Sequence, residues 1–386
     1  MVCGDFWFTK IFRRGLNLEL FESEQANLFP YFFTENRKPS LPLVLPQQPC
    51  QGDIMEQVLL SHGAGGREML ALIEGVFLAA YRAPDFIGDD SAVLNFGPHS
   101  LAFTTDSFVV APLFFPGGDI GRLAVAGTVN DLLTAGARPI ALSASFILEE
   151  GLPLDTLTAI AASMRQAADQ GRVTIVTGDT KVVPKGAADQ IFITTAGVGA
   201  VLKPGVSGAA AGVGDQIILT GSVGDHGTAV MLARENLLKG EDILSDVAPL
   251  TGLIMSLLEA DCEIHAMRDP TRGGIAAALN EIARQSQVSI EIDEAQIPVK
   301  PGVAAACEAL GLEVFQVANE GKMLIFVAPE DAPKTLALAQ KSPYGQEAQI
   351  IGEVKPGPPG RVQVRTSIGT ARLLEMPSGE LLPRIC

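Results

Sequence analysis

The sequence lacks any C-x-x-C pair and any zinc-type spacing of cysteine with histidine. Cys3, Cys50, Cys262, Cys307 and Cys386 stand apart, and only four histidines occur among 386 residues. An odd number of cysteines without a pairing framework predicts a reducing, cytoplasmic compartment. Positive charge is also scarce, with 28 Lys+Arg against 44 Asp+Glu, and the net charge of -16 excludes a nucleic-acid backbone as partner. The same excess implies that a bound nucleotide would need a metal ion to offset the carboxylates around it. No apolar run is long enough to span a membrane, and the N-terminus has no signal-peptide pattern. Aromatic residues are few, at 6%, while there are 40 glycines, a balance that suits an enzyme of closely packed helices and glycine-rich loops.

Length predicts two domains. Residues 1–54 contain the single tryptophan, Trp7, and a proline-rich stretch from Pro39 to Pro49. They read as an extension, either disordered or a mis-started N-terminus, with a docked amphipathic segment as the alternative. Regular patterning opens at Met55, giving a first domain over 55–204, a second over 205–370 and a flexible tail over 371–386. Helical spacing predicts helices over Arg67–Tyr81, Gly121–Ala135 and Leu154–Gln170, and strands over Leu101–Val110, Pro139–Leu148, Val173–Thr177 and Gln190–Val198. After the small-residue linker Gly205–Gly214 the mixture resumes, with helices at His226–Leu238 and Arg272–Gln285 and strands at Gln216–Thr220 and Met323–Val327. Strands and helices do not alternate strictly, so the fold class predicted is α+β rather than a doubly wound sheet.

The first domain sets aspartates beside strand ends and glycine turns: Asp89, Asp90, Asp106, Asp131 and Asp179. One such aspartate is ordinarily a turn or cap. Five in apolar or glycine-rich surroundings point to a metal–nucleotide site, because a carboxylate there is costly unless paired or bound to a cation. Glycine loops at Gly63-Ala64-Gly65-Gly66, Gly117-Gly118 and Gly273-Gly274 precede predicted helices and could offer backbone N–H groups to an anion. None matches a phosphate-loop or dinucleotide fingerprint. Lys181 follows Asp179 closely enough to serve a phosphate. In the second domain, His226 lies among glycines, Thr271-Arg272-Gly273-Gly274 combines a hydroxyl and a guanidinium at a helix entry, and Glu320 sits in the turn Asn319-Glu320-Gly321-Lys322. The chain ends on Cys386, a thiol with no downstream residue to bury it.

Together these segments resemble the nucleotide-binding superfamily of aminoimidazole ribonucleotide synthetase, selenophosphate synthetase and thiamine-monophosphate kinase. The resemblance is strongest to its hydrogenase-maturation branch, the HypE family of carbamoyl dehydratases. It is carried by Ser61–Gly66, Thr105–Val110, Pro112–Gly121, Gly127–Asp131, Val176–Val183, Gly224–Gly227, Thr271–Gly274, Asn319–Lys322 and the terminal Pro383-Arg384-Ile385-Cys386, and covers about residues 55–386. It implies that a carbamoyltransferase, HypF, loads a carbamoyl group onto Cys386. ATP then drives dehydration to a thiocyanate, whose cyanide passes to iron on a HypC–HypD complex. It further implies an N-terminal domain that binds Mg²⁺-ATP and forms a homodimer, a C-terminal α/β domain and a mobile tail. The roles implied are Asp89, Asp90, Asp106, Asp131 and Asp179 on the metal. Gly65, Gly66, Asp106, Gly117, Gly118, Asp131, Asp179, Thr271, Arg272 and Gly273 would bind nucleotide. Lys181, His226 and Glu320 would act around the carbamoyl group on Cys386.

Extended, the tail from Leu373 would reach about 40–45 Å, and Arg384 is expected to guide docking near phosphate and to offset the terminal carboxylate beside the thiol. Two rival readings remain: a small-molecule ATP enzyme of the superfamily, and a non-enzymatic thiol carrier. The first needs a reactive cysteine with a nearby lysine before the glycine loop, which Cys50 lacks.

Overall fold

A helical arm leads into the fold. Helix α1 (Arg67–Leu72) passes through a π-helical turn at Ile73–Leu78 into α2 (Ala79–Tyr81). The structure is a computed structural model that describes residues 57–81, 88–235, 243–379, 382 and 384–386, so the expectations for 1–54 lie outside the described residues. Strands β1 (Ala92–Phe96) and β2 (His99–Phe108) form a hairpin, followed by a short hairpin of β3 (Phe114–Phe115) and β4 (Gly118–Asp119). Helix α3 (Ile120–Thr134), β5 (Ala137–Glu149), α4 (Leu154–Gly171), β6 (Thr174–Val183) and β7 (Ile191–Val201) complete a five-stranded sheet of order β1-β2-β7-β5-β6. Only the β5–β6 pair is parallel.

Helix α3 begins where Asp119 accepts hydrogen bonds from the backbone N–H of Gly121 and Arg122, at 2.7 and 3.1 Å. It is buried on nearly every side, between the sheet and α4. The close approach of α4 requires glycine, since a Cβ on Gly121 would lie 2.5 Å from the carbonyl oxygen of Ile160. Helix α4 is amphipathic and turns Ile160, Met164, Ala167 and Ala168 inward. Apolar side chains on the sheet, among them Val93, Leu94, Phe103, Ile147, Val176 and Val182, stay exposed.

The second half forms a seven-stranded sheet. In chain order it contains β8 (Gln216–Leu219), α5 (Asp225–Arg234), α6 (Thr251–Glu259), β9 (Ile264–Arg268), α7 (Gly274–Gln285), β10 (Ser289–Asp293) and α8 (Pro301–Leu310). Then follow β11 (Leu324–Val327), α9 (Ala332–Ala339), β12 (Gln349–Lys355), β13 (Arg361–Arg365) and β14 (Ala371–Leu373). One apolar cluster runs from α3 through α6 into β9 and β11. The α+β class holds. Strands β1 and β9 are not legible as strands in the sequence, and β6 continues beyond Thr177 to Val183.

The tail, expected to be mobile, is docked in this structure. Leu374 donates its N–H to Val362, and the carbonyl of Pro377 accepts from the N–H of Arg67. The chain end then reaches the segment that follows β2. The N–H of Val109 donates to the carbonyl of Cys386 at 3.0 Å, and that of Ala111 to Arg384 at 3.3 Å.

Candidate functional site

A cleft of about 470 Å³ opens between the two halves. Its apolar wall comes from the helical arm, through Met69, Leu70, Ile73 and Leu78. Its polar floor is built by Thr104–Asp106 on β2, Asp131 on α3, Arg268–Asp269 at the end of β9 and Thr271–Arg272 before α7. Asp90 lies 3.2 Å from the Nε of Arg268, and its other carboxylate oxygen, Oδ2, is buried without a partner. Burial outweighs the arginine and pushes Asp90 up to about 6. Burial also raises Asp106, Asp131 and Asp269, and Asp131 and Asp269 go well above the ordinary carboxylate range because the neighbouring carboxylates repel one another.

A cation would relieve the repulsion in such a floor. Among the described residues no three His, Cys, Asp or Glu side chains form a ready-made metal cage. The residues nonetheless fit Mg²⁺, which usually takes one or two carboxylates and completes its shell with waters and substrate phosphates.

The docked tail brings Cys386, half-buried, within electrostatic reach of this floor. Burial pushes its thiol up to about 12. Arg272 opposes that shift, while Glu320, Asp106 and Asp269 add to it. The cation that acts on the sulfur is therefore Arg272 rather than the expected Arg384. Arg384 reaches away from the floor, to the carbonyl of Val109 at 2.9 Å and to the carboxylate of Asp189. Glu320 is 2% exposed and its Oε1 has no partner. Burial and the carboxylates of Asp269, Asp106 and Asp246 hold it well above the normal range.

His226 is buried, and that burial lowers its pKa. As a neutral ring it donates from Nε2 to the carbonyl of Ile385 at 2.9 Å and accepts at Nδ1 from the hydroxyl of Ser245 at 2.8 Å. With both nitrogens engaged, the ring holds the tail in this structure.

The other sequence candidates are placed unevenly. Asp106, Asp131, Thr271 and Arg272 line the cleft together with Asp90. Asp89 also lines it, but its carboxylate is occupied by Ser207 and by the N–H of Gly208, at 2.7 and 2.9 Å. Gly65 and Gly66 make close approaches, with Arg272 and the carbonyl of Pro377 standing where a Cβ would lie, and Gly65 lines a smaller cavity of about 130 Å³ beside the cleft with Asp90, Arg268 and Asp269. Gly273 has a positive φ of 78°, caps α7 and packs on the same arm. Gly117 and Gly118 lie against Ser245 and Val247, and Gly117 lines a separate cavity of about 410 Å³.

Asp179 and Lys181 are not brought to the cleft by their own chain. Because β6 continues through them they share one side of an edge strand, where they pair with each other at 2.7 Å and stay exposed. Arg268 and Glu281, joined at 2.6 Å in the cleft wall, and Asp246 were missed in the sequence. The motif Arg268-Asp269-Pro270-Thr271-Arg272 carried the signal for the first, had β9 been legible.

Family models of AIR synthase related proteins match residues 88–201 with their N-terminal domain and 212–365 with their C-terminal domain. Carbamoyl dehydratase HypE of Rhizobium leguminosarum bv. viciae is 53% identical over 332 residues, which cover 85% of this chain and 94% of the relative. The HypE of Escherichia coli (strain K12) is 44% identical over 341 residues, covering 86% and 100%. Among solved structures, HypE in complex with HypF superposes with a TM-score of 0.75 at 47% identity, over 80% of this chain and all of that one. HypE in complex with ATP gives 0.73 at 46% identity, over 86% of this chain and all of that one. A thiamine-monophosphate kinase of Aquifex aeolicus, at 17% identity, 79% and 99% coverage and a TM-score of 0.60, shares the fold alone.

Proposed function

The chain belongs to the HypE family of carbamoyl dehydratases, and we propose that it dehydrates a carbamoyl group carried on its own Cys386 to a thiocyanate, at the cost of ATP, during hydrogenase maturation. The observation that carries this reading is the docked tail, held by Val109 and His226, which leaves the terminal sulfur under the charges of Arg272, Glu320, Asp106 and Asp269.

The nucleotide would lie in the cleft with its base against Met69, Leu70 and Ile73 and its phosphates toward the floor. Mg²⁺ held by Asp90, Asp106, Asp131 or Asp269 together with phosphate oxygens would neutralise charge there. The carbamoyl oxygen attacks the terminal phosphorus, ADP leaves, and one amide proton goes to Glu320. The C–O bond of the resulting carbamoyl phosphate ester then breaks. Phosphate departs with the remaining N–H proton and the nitrile is left on sulfur. Arg272 stabilises the charge that gathers on the transferring oxygen. Ile385, 3% exposed, helps close the site to water that would otherwise hydrolyse the activated group.

A docked thiol raised to about 12 is a poor nucleophile. Loading is therefore assigned to the undocked tail, reached by a carbamoyltransferase of the HypF class, and the thiocyanate is delivered to iron on a HypC–HypD complex. A relative solved in complex with HypF supports the first assignment. We assign the chain to a homodimer joined through the apolar face of the first sheet. Exposed Leu94, Phe103 and Ile147, which register and alternation put on one face with Asp179 and Lys181, support this, and a second copy would then supply Asp179 and Lys181 to the cleft. The reaction is placed in the cytoplasm, as the unpaired Cys262, Cys307 and Cys386 suit a reducing compartment.

The test is intact mass of the carbamoylated protein with and without Mg²⁺-ATP. Loss of one water from the C-terminal peptide, dependent on ATP, is expected. A carbamoyl adduct that survives ATP unchanged would overturn the reading.

A further inference from the structure

One short segment is bonded to both sides of the site, directly to the Glu320 turn and through His226 to the tail. In Ser245-Asp246, the serine hydroxyl bonds His226, which in turn holds the tail carbonyl of Ile385. The backbone N–H of Val247 donates to the same hydroxyl oxygen at 3.1 Å and fixes its direction. The neighbouring Asp246, with its side chain 3% exposed, serves the other side. Its Oδ1 accepts from the N–H of Glu320 at 3.1 Å, and its Oδ2 from the N–H of Gly321 at 3.2 Å and from Nζ of Lys322 at 3.1 Å. The fit is close enough that Gly321 admits no side chain, because a Cβ there would strike the carbonyl oxygen of Asp246.

The segment is itself anchored. The side chain of Asn130, next to Asp131 of the cleft floor, donates to the carbonyl of Ala248 at 3.1 Å and accepts from the N–H of Leu250 at 2.9 Å. Two of the partners held here, the Glu320 turn and the chain end, come from regions far apart in sequence. They meet on adjacent residues of one loop.

We propose that Ser245-Asp246 is the brace that sets the Glu320 carboxyl and the Cys386 sulfur in register, with Asp246 positioning the base and Ser245 positioning the tail through His226. The inference rests on the dehydratase reading. Neither residue touches the reacting atoms. Both act on geometry, where a displacement of about 1 Å can cost on the order of 10²-fold in rate. A brace of this kind has separable halves. Loss of the Asp246 bonds frees the base turn while the tail still docks. Loss of the Ser245 hydroxyl loosens the tail while the base turn stays in place.

The experiment compares wild type, Asp246→Asn, the double variant Asp246→Asn with Lys322→Gln, and Ser245→Ala in the full chain. The double variant covers misfolding of the single one, since it leaves no buried lysine without its counterion. Each protein is read for the KM of ATP, the single-turnover rate of water loss from preloaded Cys386, and the rate of Cys386 alkylation by a maleimide. The Asp246 variants should lose roughly 10–10²-fold in water loss, with ATP KM and alkylation unchanged. Ser245→Ala should raise alkylation several-fold with ATP KM unchanged. Wild-type rates of water loss in the double variant, or unchanged alkylation in Ser245→Ala, would overturn the proposal. Failure of the wild type itself to lose water would instead remove the function on which it rests, and the alkylation readings would still report the tail half of the brace.

Discussion

At the scale of single residues, the site depends on where burial puts charge. Glu320 has no partner for Oε1 and sits among Asp269, Asp106 and Asp246, so its carboxyl holds a proton to a higher pH than a free glutamate. A general base must lose that proton first. Dehydration should therefore rise with pH through a limb set above the ordinary carboxylate range. Glu320→Gln should abolish that limb and lower the rate by about 10²–10⁴-fold, with ATP binding retained. Single-turnover water loss across pH, beside equilibrium nucleotide binding, checks both. A variant that keeps wild-type rates would remove Glu320 from the reaction.

Glu320 was legible because a carboxylate in a turn of Asn and Gly before a strand stands out. Asp246 was not, for in sequence it is one acid among 44 Asp+Glu and its meaning lies wholly in the backbone N–H groups it meets 74 and 75 residues away.

At the scale of elements, the tail is the part on which sequence and structure differ most. Chain position predicted its mobility, but its docking depends on tertiary partners: Val109, Ala111 and His226. The terms can be ranked. Burial of Ile385 contributes about 1.5–3 kcal/mol, and each backbone or His226 hydrogen bond a further ~0.5–1.5 kcal/mol. The Arg384–Asp189 pair is partly exposed, so it contributes only about 0–1 kcal/mol. Ile385→Ala should accordingly expose Cys386 to alkylation more strongly than Arg384→Ala does, by about tenfold or more against less than tenfold. The reverse order would show that the contacts of Arg384 with Asp189 and Val109, not apolar burial, close the tail. Strand reading failed in a similar way at β9, where His265 and Arg268 interrupt the apolar pattern that otherwise marks Ile264, Ala266 and Met267 as buried. That one missed strand concealed Arg268, the counter-charge of Asp90. In β6 the error ran the other way, because Gly178 was read as a turn although its strand continues to Val183.

At the scale of the whole molecule, the cleft concentrates destabilising charge that ligand must relieve. Asp90, Asp106, Asp131, Asp269 and Glu320 all have folded-state pKa values raised above those of the unfolded chain. Between the unfolded value near 4 and the folded value, the native state holds more protons, so stability falls as pH rises. For Asp90, raised to about 6, the loss is on the order of 3 kcal/mol across that window. Asp246 works in the opposite sense: Lys322 lowers its pKa, and its contribution is lost only as pH falls. Without nucleotide, the melting temperature should therefore decline from about pH 5 towards pH 8. Saturating Mg²⁺-ATP should flatten the slope, because ionised carboxylates are then paired, and should add about 2.7 kcal/mol at a hundredfold excess over Kd. Melting curves at several pH values, with and without Mg²⁺-ATP and with ATP in chelator, measure all three terms. A nucleotide-free stability that climbs steadily over the same range would mean that the acidic floor is already neutralised within the chain. Mg²⁺ would then have no charge left to offset.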